Sequence, residues 1–426
     1  MSKIHEPIHI LRNFLSFTQD LPDRFERKRV WSPQSIMVWL LLITFPDRKT
    51  SYRNSLPVLM RFAQRAFGWK KRPSLGSVPR ARAKMTASQC RSVLRQVVER
   101  CERAIGAALH RYGSRRFIAF DGTHLITQRS GDTARKLHRF HRPNGEQVHN
   151  PQGLLVTAVD VFRRLPLDWI FVGKGTGERT AMNGLLDTLR LRPGDVAIMD
   201  RGLPSRKLFG LLLDRGVDII ARMTSSRASA WKEVSEFLKS GKKTGIIEIQ
   251  VGDKGVKRPV HVRLVERDRL RGRPRKGTKK ESMLILTTLK HEDGFSRQEI
   301  IKLYSARWGI ESLFKELKSF MSIEPMHSKR VAGCEQEICA SLIWMAMGTL
   351  LQIEAEAELN GRRVVRADCL RAASDLVGEL LEGKAIDHRM EQYLQALRQY
   401  AYTPQPGRHA PRECKMPYGR SIQRGG

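Results

Sequence analysis

The chain has 426 residues, 41% of them hydrophobic and 28% charged, enough apolar material for a sizeable core in more than one domain and too much for a disordered chain. Its 77 Lys plus Arg against 43 Asp plus Glu leave a formal net charge of +34, which repels itself strongly unless a polyanion neutralises it, so nucleic acid is the expected partner. The excess recurs in separate blocks: twelve basic residues against Glu99 alone in 51–100, and twelve against Asp253, Glu266 and Asp268 in 251–280. A single membrane-binding amphipathic helix would not produce that pattern.

From residue 28 to about 112 the spacing predicts helices separated by Pro, Gly and basic clusters such as "GWKKRPSLGSVPRARAK". The last of them starts at a capping box, Thr86 with Gln89 three residues on, and runs to Gly113. Residues 1–113 are therefore expected as a helical, basic N-terminal DNA-binding domain, without a helix-turn-helix signature that would assign a recognition helix. The start "MSKIHEPIHILRNF" lacks the apolar core and cleavage site of a signal peptide. The longest apolar runs, "IMVWLLLITF" at 36–45 and "ICASLIWMAMGTLLQI" at 338–353, are shorter than the roughly 20 residues that cross a bilayer and are expected as buried helices. A cytoplasmic, DNA-associated protein with no membrane partner is the expectation.

The six cysteines, Cys90, Cys101, Cys334, Cys339, Cys369 and Cys414, form no C-x-x-C pair, so neither a disulfide framework nor a zinc ribbon is indicated. Cys90 and Cys101 share a helical face with Leu94, Val97, Ile105 and Ala108, which makes them core residues.

The texture changes at 116. "RFIAFDGTHLI", "GLLVTAVDVF" and "PLDWIFVGKG" read as three strands, followed by the helical "TAMNGLLDTLRL", a strand "DVAIMD", a helix "SRKLFGLLLDRG" and a strand "VDIIARM". Short connections make the first three antiparallel, and the alternation that follows makes the later two parallel to the first, so residues 114–223 are expected to begin an α/β mixed-sheet core. Residues 224–295 read as a β-rich insertion domain carrying "TGIIEIQV", "PVHVRLVER" and "MLILTTL" around the basic "RLRGRPRKGTKK". Ser296 and Glu299 then form a second capping box and launch one long helix to about 320, within a second part of the core at 296–350. Residues 351–426 are expected as a helical C-terminal region ending in a loose tail.

Two aspartates stand where strands end: Asp121 in "IAFDGT" and Asp200 in "VAIMDRG", each before a glycine that lets the backbone turn away. On the late helix, at about 100° per residue, Tyr304, Arg307, Glu311, Lys315 and Lys318 fall within an arc of roughly 80°, beside an apolar face of Ala306, Ile310, Leu313, Leu317 and Phe320. Three carboxylates brought together would repel one another unless cations joined them, and their hard oxygens suit Mg²⁺ or Mn²⁺. Two such ions could activate a water or a 3′-hydroxyl and stabilise the leaving oxygen, while Arg307, Lys315 and Lys318 hold phosphates and Tyr304 donates a hydrogen bond.

Tyr304, Arg307, Glu311 and Lys318 reproduce the spacing Y-x2-R-x3-E-x6-K, and with Asp121 in "DGT" and Asp200 in "DRG" the chain resembles the bacterial insertion-sequence-four family of DDE transposases. The resemblance spans about residues 110–335. It implies a ribonuclease-H-like, retroviral-integrase-like core interrupted by a β-rich insertion. Asp121, Asp200 and Glu311 would be the catalytic, metal-binding acids for two Mg²⁺ ions, with Mn²⁺ as a possible substitute. The reaction implied is cut-and-paste transposition by hydrolysis and strand transfer through a DNA hairpin. Partners implied are double-stranded DNA, as terminal inverted repeats and target, and a second copy of the chain on paired ends.

Other signals point the same way with less force. Trp308 could stack on a displaced base, and Arg271 and Arg273 in "RGRPRK" resemble minor-groove hooks. "GKGTGER" at 173–179 fails the phosphate-loop pattern and reads as a turn, so no nucleotide cofactor is expected. "HRFH" at 138–141 with His149 reads as a basic DNA-facing loop, and Asp160 as a structural strand-end contact. Two competing functions remain open: a catalytically inactive DNA-binding repressor, and a recombinase using Tyr304 as a covalent nucleophile, for which no Arg-His-Arg set can be placed.

Overall fold

The computed structural model describes residues 30–46, 50–106, 112, 114–141, 144–224, 231–253, 255–267 and 283–404. Arg271, Arg273, Ala108, Gly113 and Cys414 lie outside the described residues. Four helices come first: α1 (Pro33–Ile43), α2 (Tyr52–Phe67), α3 (Ser77–Arg82) and α4 (Ala87–Ile105). The Thr86 and Gln89 capping box is present at α4, and Cys90 and Cys101 are fully buried on its inner face.

The centre is an eight-stranded mixed sheet. Its strands are β1 (Phe117–Ile126), β2 (Gln152–Asp160), β3 (Leu165–Val172), β4 (Val196–Met199), β5 (Asp218–Met223), β6 (Thr244–Asp253), β7 (Val256–Arg267) and β8 (Met283–Thr287), in the order β3-β2-β1-β4-β5-β8-β7-β6. β1, β2 and β3 pair antiparallel, and β4 and β5 run parallel to β1. The central strands are apolar without alternation: "FIAF" of β1 and "VAIM" of β4 are buried along their whole length, as strands covered on both faces must be. The strands of the 224–295 segment hydrogen-bond onto β5 through β8 and so extend this sheet, with β6 at its edge.

Between strands lie α5 (Gly131–Lys136), α6 (Glu178–Leu186), α7 (Arg206–Leu213) and α8 (Lys232–Lys239). Next come α9 (Arg297–Ser305), α10 (Trp308–Lys315) and a π-helical turn at Glu316–Phe320, then α11 (Val331–Glu356), α12 (Arg366–Leu381) and α13 (Asp387–Gln399). The single long helix expected from 296 to about 320 is therefore two helices and a π turn. The chain breaks at Ala306 and Arg307, where amide hydrogen bonds tighten to the three-residue spacing of a turn. Ser296 caps α9 by accepting from the Glu299 amide, but the Glu299 carboxylate bonds the Tyr112 hydroxyl.

α11 is long and apolar enough to cross a membrane by composition, yet 89% of its most apolar window is buried inside the fold, where it packs on α4, α12 and α1 and against β3. Its Glu337 accepts from the buried Arg82 at 3.1 Å and from the amides of His327 and Ser328 at 2.8 and 3.0 Å, clamping the N-terminal helices to the core. Asp160 is structural as expected: it is fully buried and ion-paired with Arg163 at 2.7 Å.

Candidate active site

Sheet register sets the first two acids side by side. In the parallel pair β1 and β4, Phe120 stands opposite Met199, so Asp121 and Asp200 follow side by side on neighbouring strands, which lie about 4.8 Å apart; Asp200 stands just past the end of β4 as expected, whereas Asp121 lies within β1, whose pairing with β2 carries it on to Ile126. Each carboxylate is steadied by the amide that follows it: Asp121 Oδ1 accepts from Gly122 at 2.9 Å, and Asp200 Oδ1 from Arg201 at 2.7 Å. α10 packs on β1 and carries Glu311 over this end of the sheet.

Arg307 occupies the centre. Its Nη2 donates to Glu311 Oε1 at 2.5 Å and lies 3.9 Å from Asp200 Oδ2, while Nη1 is 3.5 Å from Asp121 Oδ2. Three acids remote in sequence thus surround one guanidinium whose side chain is only 7% exposed. The break between α9 and α10 makes this possible, because Arg307 caps the start of α10 and Glu311 follows one turn later. Among the described residues no group of three His, Cys, Asp or Glu side chains is gathered tightly enough to enclose an ion, since Arg307 stands between the acids. The donor chemistry, three partly exposed carboxylates, fits a hard divalent cation.

The other predicted residues divide. The Tyr304 hydroxyl donates to Asp200 Oδ1 at 3.1 Å, and the ring is buried. Lys318 turns away from the acids on the π turn: its Nζ donates to the His124 carbonyl at 2.7 Å and lies 3.9 Å from Glu324, whose carboxylate also accepts from the Ile126 amide. Lys315 is exposed at the end of α10. Trp308 is 62% exposed, with the Arg307 guanidinium carbon 5.6 Å from its ring centre. In the "HRFH" loop, the His138 and Phe140 rings stack at 5.8 Å, and His124 meets Phe140 edge-on at 4.9 Å.

Two neighbours escaped the sequence reading. Arg222 of β5 reaches within 3.6 Å of Asp200 Oδ1, and Glu178, in the segment read as a turn, lies beside Gly122. A basic residue alternating outward on a strand next to the Asp200 strand is the signal that could have revealed Arg222.

Electrostatics set the two aspartates apart. Burial pushes the Asp121 carboxyl up to about 6, with Glu178 and Glu311 adding to the rise against the Gly122 amide and Arg307. Burial also acts on Asp200, but the Arg201 amide, Arg307, Arg222 and Tyr304 outweigh it and hold that carboxyl below its usual value. Burial and the Asp200 charge push the Tyr304 hydroxyl up to about 12. Burial alone would lower Arg307; its bond to Glu311 and the charges of Asp200, Tyr304 and Glu311 raise it instead.

Residues 112–346, more than half of the chain, match the transposase DDE domain. The chain belongs to that family. Asp121, Asp200 and Glu311 all lie inside the transposase DDE domain, as do the five strands from β1 to β5. Among solved structures the chain is similar to a piggyBac transposase synaptic complex with hairpin DNA, seen by cryo-EM, at 13% identity and a TM-score of 0.44, over 96% of this chain and 85% of that one. No curated protein matches it.

Proposed function

We propose that this DDE transposase domain cuts and joins DNA at a centre formed by Asp121, Asp200 and Glu311, moving an insertion sequence of the family that its Tyr304, Arg307, Glu311 and Lys318 spacing resembles. The observation that carries the reading is the convergence of those three acids, distant in sequence, on the guanidinium of Arg307. On this reading the core is ribonuclease-H-like, and the helical N-terminal region and the loop bearing Arg271 and Arg273 contact DNA.

Asp121, Asp200 and Glu311 would hold Mg²⁺ or Mn²⁺, which when bound supplies Lewis acidity toward the attacking hydroxyl and the leaving oxygen. In each step an oxygen nucleophile bonds to phosphorus and a 3′-oxygen leaves with the displaced electron pair. The nucleophile is water at the element's end, then the freed 3′-hydroxyl on the opposite strand to close a hairpin, then water to reopen it, and last the 3′-hydroxyl on target DNA. Arg307 is placed to exchange a carboxylate for a phosphate oxygen, a planar bidentate contact that a lysine could not reproduce. Tyr304 orients Asp200 by its hydrogen bond, Lys315 is exposed at the end of α10 for a flanking phosphate, and Lys318, on the π turn, would have to leave the His124 carbonyl to reach one. Two ends must be processed together, so the functional unit is a homodimer on paired ends.

A covalent tyrosine mechanism is disfavoured by Tyr304 itself, which is 3% exposed, bonded to a carboxylate, and has a hydroxyl pushed up to about 12. An inactive repressor is disfavoured by the retention of all three acids. The test is cleavage of a duplex carrying the imperfect inverted repeats that bracket the reading frame. Cutting should require Mg²⁺ or Mn²⁺ and stop with EDTA, whereas a protein-linked DNA product that survives EDTA would overturn the reading.

A further inference from the structure

The far half of β1 leads from the reaction centre to a basic cavity that the reaction centre does not use. From Asp121 to Ile126 the strand runs on for five residues, roughly 17 Å. Lys318 is held beside that stretch at the His124 carbonyl, and the Ile126 amide donates to Glu324 at 2.8 Å. Beyond it a cavity of about 700 Å³ opens between α3, α5 and the segment that leads into α11. Its lining carries Arg82, Arg135, Lys136, Lys329 and Arg330 against one acid, Asp132.

Those charges do not balance within the fold. Arg82 is buried and neutralised by Glu337. Asp132 accepts from Lys136 at 2.8 Å and from the Val331 amide at 2.8 Å, with Arg135 3.8 Å away and 77% exposed. Lys329 and Arg330 are exposed, and their side chains have no partner among the described residues.

The backbone that carries these two cations is pinned at almost every residue. Glu337 accepts from the His327 and Ser328 amides, Ser328 Oγ accepts from the Arg330 amide at 3.1 Å, and Ser130 Oγ donates to the Lys329 carbonyl at 2.5 Å. A Cβ at Gly333 would run into Ser328 Oγ, so the wall behind them is close-packed as well. Two unpaired cations are thus fixed in place before anything binds, at the mouth of a cavity whose walls concentrate their field. A solvated run of charge has no need of such bracing. At about 3.4 Å per base pair, a duplex with one phosphate at Asp121 that lies along β1 passes Lys318 and reaches the cavity after about five base pairs.

We infer that this cavity holds the phosphate backbone of the duplex being cut, about five base pairs or more from the scissile phosphate, with Lys329, Arg330 and Arg135 as its contacts. The inference rests on the DNA-cutting reading above and names where the uncut stretch of that duplex runs.

The experiment measures binding of the full chain to a duplex carrying the terminal repeat, without divalent ions and over a range of salt, together with the hydroxyl-radical footprint of the complex. Lys329→Ala combined with Arg330→Ala should weaken binding about tenfold at about 0.1 M salt and reduce the slope of log K against log salt by about 2. The footprint should lose its protection about five base pairs or more from the cut and keep it at the cut itself. Lys239→Ala combined with Lys242→Ala, an equal loss of exposed charge beside β6 at the far edge of the sheet, should leave slope and footprint as in the parent. Thermal melts show whether each variant is folded. Parental slope and footprint in the Lys329 and Arg330 variant, or an equal fall in both double variants, overturns the inference and leaves the DNA-cutting reading standing. If the parent binds the repeat no better than an unrelated duplex, both fall.

Discussion

Arg307 and Glu311 sit one turn apart at the start of α10, and their 2.5 Å ion pair is the tightest of the contacts that gather the acidic residues. A buried guanidinium shared by three carboxylates works as an internal counterion, so the site is assembled by the fold rather than by whatever binds it.

Arg307→Lys keeps the charge but loses the planar fork, so it should lower stability by about 1 kcal/mol, with Arg307→Ala costing about 2 kcal/mol. The values stay modest because the carboxylates remain partly open to water, which screens their repulsion. Urea unfolding of the two variants beside the parent checks the order; Arg307→Ala as stable as the parent would mean that the guanidinium is not their counterion.

Tyr304→Phe deletes one hydrogen bond to an ionised acid and nothing else of that buried ring. A loss of about 1 kcal/mol is expected, at the low end for charged acceptors because Asp200 is 37% exposed. Cleavage should slow but persist, since the hydroxyl only orients Asp200; complete loss in single-turnover assays would assign it a larger role.

The pH dependence of stability should carry opposite signatures from the two aspartates. Asp121, raised to about 6, has a folded value above its unfolded one near 4, so it costs stability that is absent below about pH 4, grows to about pH 6 and is constant above. Asp200 is shifted the other way, and its contribution is present above its unfolded value and lost as pH falls. Calorimetry without divalent ions should show Asp121→Asn gaining on the parent between about pH 4 and 6. A difference that does not change across that window would contradict the burial of Asp121.

Glu337→Gln should be the most damaging of these changes to the fold, by about 3 kcal/mol, because it strips the charge partner from Arg82, which is itself 5% exposed. The melting temperature reads this directly, and an unaltered value would show that α11 is not clamped to the N-terminal helices through this pair.

Much of this arrangement is visible in the chain before it folds. Unbroken apolar runs ending in Asp mark β1 and β4 because central strands covered on both sides need no polar alternation. Tyr304, Arg307 and Glu311 are spaced so that either one helix or two would bring them to one side. The break at Arg307 and the π turn at 316–320 are another matter. They depend on what α9 and α10 pack against, and without them periodicity puts Lys318 among the acids when it in fact binds the His124 carbonyl. The places of Arg222 and Glu178 are harder still, since they come from which strand pairs with which and from how α6 packs over Gly122. That the strands of 224–295 extend the central sheet is not legible locally, because the pairing of β8 with β5 is decided at long range.

The most direct measurement uses one end-labelled duplex carrying the terminal repeat to read binding and strand cleavage together for Asp200→Asn and Glu311→Gln. The account predicts that both variants hold the DNA as the parent does while cutting at least about a hundredfold more slowly in Mg²⁺. Cutting at the parental rate by either variant would contradict it.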